Sequence, residues 1–300
     1  MGKKKKIKSC LSDRILLVLF YIIAGVFAAA CLYPLLLAIG TSFADEASVT
    51  INGYSVIPKK FSLQAYQMIF GSLGKNLFNA YCVTIGVTVF GTILSVLVSA
   101  SFAYILTVKE FKPRGMLNMF LYIPMIFSAG LLPWYIMCTK YYHLTDSFLA
   151  LVLPCCMNAF NVFLLRNFFR SIPEELAEAA KIDGANYIRI FSVIYFPLAK
   201  VGLVTVGLFY ALSYWNDYYL SLMFINKQNK YPLQYYLYNM LSNVQFMANQ
   251  ANASLGYNIN IPLETTKMAT ICVTVGPIIL LYPFVQKYIT KGVIVGAVKG

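Results

Sequence analysis

Polar and apolar positions along this chain do not alternate; they segregate into long blocks. Residues 15–44, 76–108, 115–139, 147–165 and 268–286 carry no Asp, Glu, Lys or Arg, and 201–226 carry only Asp217. A helix needs about 20 mostly apolar residues to cross a bilayer core. The blocks therefore predict an all-α integral membrane protein with six transmembrane helices, near 15–39, 77–106, 117–137, 148–166, 201–225 and 268–286. Between them lie two long loops on one side, 40–75 and 226–267, and one on the other, 167–200.

Composition sharpens this picture. Apolar residues make up 59% and charged residues 12%, with a mean hydropathy of +0.68. Soluble domains average about 25% charge, so a soluble enzyme and a disordered chain are excluded. The net charge of +13 would suit a nucleic-acid binder, but such a protein clusters its basic side chains on a soluble face. Here they flank the uncharged blocks. Lys59, Lys60, Lys75, Lys140, Lys227, Lys230 and Lys267 fall on one side, leaving seventeen of the 24 basic residues on the other. The bias places both termini in the cytoplasm of a multi-pass cell (plasma) membrane protein.

The N-terminal Lys3–Lys8 cluster before an apolar run ending near Cys31 has the look of a cleavable signal. The run continues to Ile39, too long for a signal core of 7–15 residues, so an anchor span is expected. Most of the seven cysteines sit in apolar stretches and none has metal-ligand spacing, which predicts neither a metal site nor a disulfide framework.

The loop 167–200 carries the densest local signals. Ser171 and Glu174 form a capping-box pattern with Pro173 in the first turn. Glu175 through Lys181 are good helix formers, acidic at the start and basic at the end. Asp183-Gly184 ends this helix, with Gly184 able to adopt a positive φ. A second helix is expected from about Asn186 toward Phe196-Pro197. The small Ala179 and Ala180 would let another protein approach closely; a plain surface connector is the alternative.

At these residues the chain resembles a known family. Glu178-Ala179-Ala180, Asp183-Gly184-Ala185, Phe191, Ile194 and Pro197 are similar to the E-A-A…G loop of binding-protein-dependent ABC importer permeases, with Phe196 where Leu is usual. Tyr33-Pro34, Ala103-Tyr104, Gly130-Leu131-Leu132-Pro133, Trp215-Asn216-Asp217-Tyr218, Tyr231-Pro232-Leu233-Gln234 and the tail Lys291–Gly300 extend the resemblance over nearly the whole length. They point to the carbohydrate branch, similar to the maltose-type second permease and to Gram-positive oligosaccharide permeases.

The resemblance implies a type I ABC importer permease with a cytoplasmic coupling helix. By it, a basic N-terminus 1–14 and first span 15–39 precede an extracellular loop 40–75, a permease core 76–290 with its coupling loop 171–197, and a cytoplasmic tail 291–300. It implies that Glu174, Glu175, Glu178, Ala179, Ala180, Asp183 and Gly184 contact the ATPase. The implied partners are a homologous second permease, two ATPase subunits and an extracellular sugar-binding (lipo)protein, with an oligosaccharide as substrate. No cofactor belongs to this chain; ATP and Mg would sit on the ATPase subunits. Gly71-Ser72-Leu73-Gly74-Lys75-Asn76 has too short a spacing, and Asn where a phosphate loop needs Ser or Thr, so the chain itself is not expected to be an enzyme.

Inside the spans, Tyr210, Tyr214, Asp217 and Ser221 follow 4, 3, 4 spacing and would share one face of a continuous helix. That face, with Asn216, either lines the sugar path or ties the fifth helix to its neighbours. An acid within a span is costly and should face protein or a wet cavity. The rival readings are a stand-alone secondary transporter and an integral-membrane enzyme. The first would show ionisable pairs or internal repeats and the second convergent catalytic groups; neither pattern is evident.

Overall fold

The computed structural model describes residues 11–71, 74–255, 262–277 and 279. The basic residues 1–10, the later part of the sixth expected span and the tail 291–300 lie outside the described residues.

Among the described residues, two helices are long and apolar enough to cross a membrane unaided. They lie within α1 (Leu11–Ser42) and α4 (Gly74–Ile105). The third and fourth expected spans are each broken, and the chain bends sharply just ahead of the fifth. The third consists of α5 (Arg114–Ile126) and α6 (Leu131–Ile136), the latter continued by a π-turn to Tyr141, with a bend of 119°. The fourth pairs 3₁₀ turns at Phe148–Cys155 with α7 (Ala159–Arg170), bent by 58°. Ahead of the fifth, a limb from Tyr187 to Leu198 meets α11 (Lys200–Trp215) at 81°, and α11 ends short of the expected span's end at 225. A helix at 263–277 covers the start of the sixth.

The chain divides into two compact bodies. The first comprises residues up to 71 together with 244–273. Its loop after α1 holds two short helices, α2 (Glu46–Asn52) and α3 (Gln64–Phe70), and an isolated antiparallel bridge from Ala44 to Phe61. The Asp45 carboxylate caps α2 by accepting from the Ser48 amide. Gly40 is required: a Cβ there would strike the Val56 carbonyl. The buried Glu46 carboxylate accepts from the amides of Glu264 and Thr265, both at 2.9 Å, and from the Thr265 hydroxyl at 2.6 Å. It thereby satisfies donors that the 263–277 helix cannot satisfy itself.

The second body comprises 72–243 and residues from 274. Its core is the packing of α4 on α7 and α11. Small residues permit the approach. Ala100 and Ala103 are fully buried, and a Cβ on Gly91 would come within 2.8 Å of the Tyr214 ring. Polar side chains tie the helices where no water can. Ser95 and Ser99 on α4 meet the hydroxyls of Tyr214 and Tyr210 at 2.8 and 2.7 Å. The loop expected at 226–267 contains a 23-residue helix, Leu233–Leu255, whose first amide donates to the Thr84 hydroxyl.

Candidate functional site

Two regions of the second body gather the residues singled out by the sequence. The first is the segment 171–199. Here α8 (Glu174–Ile182) begins one position beyond Pro173, which carries no side-chain cap. The expected capping box is absent: the Ser171 hydroxyl donates back to the Phe168 carbonyl at 2.7 Å. With Ser171 as cap, Ile172 would be helical immediately before a proline, a conformation the proline ring disfavours.

The end of α8 matches expectation. Gly184 has φ +79°, and the Ala185 amide donates to the Ala180 carbonyl at 2.9 Å. Asn186 then caps α9 (Tyr187–Ile190) by accepting from the Arg189 amide at 2.8 Å. The second limb is less regular than the expected helix. A π-turn spans Phe191–Tyr195, and α10 (Phe196–Leu198) ends at the 81° elbow.

Two ion pairs hold α8 to the turn after α4. Lys109 meets Glu174, and Lys181 meets Glu110, each at 2.5 Å. Hydrogen bonding from Lys181 pulls the Glu110 carboxyl below the usual carboxylate range, and the same contact raises the Lys181 ammonium. The Lys181 ammonium also lies 5.3 Å from the Tyr187 ring centre. Behind α9, the rings of Tyr104, Phe169, Phe191 and Tyr195 pack edge-on or tilted, with centroids 5.0 to 6.4 Å apart. The opposite side of the segment is bare. Glu175, Ala179 and Asp183 are exposed there and Ala180 is half-buried, while Glu178, also exposed, faces the brace beside Glu174 and Lys181. Ile182 is 86% exposed and Ile188 76%, with Leu176 also open.

The second region lies where the fourth span breaks. Asn158 caps α7, its side chain accepting from the Asn161 amide, while its own amide donates to the Tyr210 hydroxyl at 2.9 Å. The Tyr214 hydroxyl donates to the Val152 carbonyl at 3.0 Å. Both tyrosines thus splice the broken span to α11, with only 3% exposure each. The continuous helix face expected for Tyr210, Tyr214, Asp217 and Ser221 does not exist. The chain leaves α11 at Trp215, and Asp217 accepts from the Leu220 amide at the start of α12 (Tyr219–Phe224). Asn216 is exposed and donates to the Leu212 carbonyl; Ser221 is fully buried.

A family profile described as the binding-protein-dependent transport system inner membrane component matches residues 113–295. The chain belongs to this family. It is 37% identical over 290 residues to the polygalacturonan/rhamnogalacturonan transport system permease protein YtcP of Bacillus subtilis, covering 97% of this chain and 100% of that one. It is 28% identical to the arabinooligosaccharides transport system permease protein AraQ of Halalkalibacterium halodurans, covering 91% and 93%. A crystal structure of a bacterial ABC transporter involved in the import of the acidic polysaccharide alginate superposes with TM-score 0.80 at 32% identity, over 94% of this chain and 99% of that one. The chain is therefore a permease component of a binding-protein-dependent importer in the cell membrane. Within this permease, sequence reasoning missed Lys109 and Glu110, which brace α8, and Asn158, whose cap marks the break. An Asn ahead of an amphipathic run was the available sign.

Proposed function

We propose that this permease imports oligosaccharides, forming the translocation path with a homologous second permease and taking its driving force from two ATPase subunits, where ATP and Mg would bind. An extracellular sugar-binding protein delivers the substrate. The substrate class rests on the relatives, whose names specify polygalacturonan/rhamnogalacturonan, arabinooligosaccharides and the acidic polysaccharide alginate. The core would span 76–290, with the span 15–39 added ahead of it, and both termini and loop 172–184 would face the cytoplasm.

One observation carries the coupling role: α8 and α9 present Leu176, Ala179, Ile182 and Ile188 outward while ion pairs and packed rings fix the segment from behind. An exposed apolar ridge on a braced short helix suits docking in a partner's cleft. Glu174 and Lys181 serve the brace and Glu178 lies beside them, leaving Glu175, Ala179, Ala180, Asp183 and Gly184 for contact with the ATPase. Ile182→Arg tests this directly, since a side chain already in solvent is replaced without disturbing the fold. Affinity purification of the variant complex should lose the ATPase subunits. Full retention with normal uptake would remove the segment from this role.

A further inference from the structure

Where α5 begins and α7 ends, three arginines gather without an acid. Arg166, near the end of α7, donates from Nη1 to the Asn118 side-chain oxygen on α5 at 2.9 Å. Asn118 in turn donates to the Arg114 carbonyl, one helical turn back, at 2.8 Å. Arg170 follows Arg166 by one turn on α7, so the two share a helix face, where like charges repel. The charges of Arg114 and Arg170 both bear on Arg166. Among the described residues the ion pairs are Lys109–Glu174, Lys181–Glu110 and Lys267–Glu264, and none includes these arginines. Asn118 is neutral and answers one nitrogen only, while the Arg166 Nε is screened from solvent and has no acceptor. Arg114 and Arg166 are half-buried and Arg170 is exposed. Charges partly withdrawn from water without a counter-charge are costly, so the cluster calls for an anion from outside the chain.

A second feature says which anion. The third span starts with α5 and the fourth ends with α7, so both arginine-bearing ends lie at one face of the membrane. Beyond Arg114, α5 presents Met116, Met119, Phe120 and Ile123, all exposed, at the three- and four-residue spacing of one helix face. Positive charge at the helix end above an apolar stripe matches an amphiphile better than a free phosphate. We infer that this cluster is a binding site for the headgroup of an anionic phospholipid, whose acyl chains lie along that face of α5. Phosphate oxygens accept from Arg114 and Arg170, a pairing that suits the planar guanidinium and recurs in basic pockets between membrane helices. Arg166, pinned by Asn118, supplies fixed charge behind them. The inference needs only a membrane permease and is independent of the sugar it carries.

The test places the purified whole complex in nanodiscs of phosphatidylglycerol and phosphatidylcholine in equal parts and counts retained lipids by native mass spectrometry. Wild type should retain phosphatidylglycerol in preference. Arg170→Gln, at an exposed position, should weaken that preference, and Arg114→Gln/Arg170→Gln should lower it roughly tenfold or more. Arg189→Gln/Lys200→Gln removes the same charge outside the cluster and should leave the preference intact. Soluble glycerol 3-phosphate in excess should not displace the lipid; displacement would assign the cluster to a free phosphate and overturn the inference. No preference in wild type overturns it, as does unchanged retention in both arginine variants or an equal loss in the control pair. Loss of another subunit from the Arg170→Gln complex also overturns it, because the cluster would then answer an acid of that subunit.

Discussion

Lys181 is held between an acid and a ring: its ammonium lies 2.5 Å from the Glu110 carboxylate and 5.3 Å from the Tyr187 ring centre. One side chain of α8 thus touches both the turn after α4 and the helix that follows. Such exposed pairs are worth roughly 0.2–1 kcal/mol, too little to hold a fold but enough to bias a moving part. Glu110→Lys should lower ATP-dependent uptake about two- to fivefold, and adding Lys181→Glu should restore it. If the double reversal is no better than the single change, the contact carries nothing.

The same pair sets a pH window. The Glu110 carboxyl is lowered by its bond to Lys181, so its contribution is complete above the ordinary carboxylate pKa and is lost as pH falls through the lowered value. Lys181 is raised by Glu110, so its contribution persists below the ordinary lysine pKa and is lost as pH rises through the raised one. Uptake by wild type relative to Glu110→Gln should therefore be flat across neutral pH and converge in acid and again in strong alkali. A wild-type advantage that vanishes near neutrality would contradict this assignment.

Gly184 adopts φ +79°, and open space surrounds the position a Cβ would take, with no neighbouring atom within 4 Å. A residue with Cβ pays roughly 1–2 kcal/mol for that conformation, and any collision must be with a partner. Gly184→Val should abolish uptake and weaken ATPase retention. Gly115, inside α5 and equally uncrowded but without positive φ, is the control: Gly115→Ala should leave both unchanged. Pull-down and proteoliposome uptake measure the pair, and normal behaviour of Gly184→Val would discount the turn.

Asp217 caps α12, accepting from the Leu220 amide at 3.3 Å. Losing a cap costs about 1 kcal/mol, while Asn can still accept the bond. Asp217→Leu should reduce transport while retaining the ATPase subunits, and Asp217→Asn should recover most of it. Equal loss in both variants, with assembly intact, would show that the charge matters and not the cap.

The seventeen-to-seven bias of basic residues predicts an orientation that labelling can check. Cysteine placed at Asn52 should react with an impermeant thiol reagent on intact cells. Cysteine placed at Lys181 should react only after permeabilisation. Labelling of position 181 on sealed cells would invert the topology.

The membrane character and the turn at Gly184 were legible because both depend on local signals, namely uncharged length and the special freedom of glycine. The break near Asn158 was not, whereas the elbow at Ala199 falls where the expected second helix gives way to the fifth span. Within the apolar span only Asn158 announces the interruption, and the group that receives its freed amide, Tyr210, lies 52 residues away. The 4, 3, 4 spacing of Tyr210, Tyr214, Asp217 and Ser221 misled for the same reason, since periodicity presumes a helix that the chain ends at Trp215. Asp217 three residues before the Leu220 amide was itself a start signal, read instead as a buried charge. The Ser171 box failed to a neighbour's sterics, because Pro173 restrains Ile172.

The 81° elbow between the limb ending at Leu198 and α11 has a mechanical corollary. A push delivered along the lower limb meets α11 almost broadside, so very little of it projects along that helix's axis. Thrust becomes torque. With α11 spliced to the fourth span through Tyr210 and Tyr214, turning it would swing Asn158 and Asn161 as one piece, and a small stroke at α8 would shift the break in the fourth span instead of driving a piston.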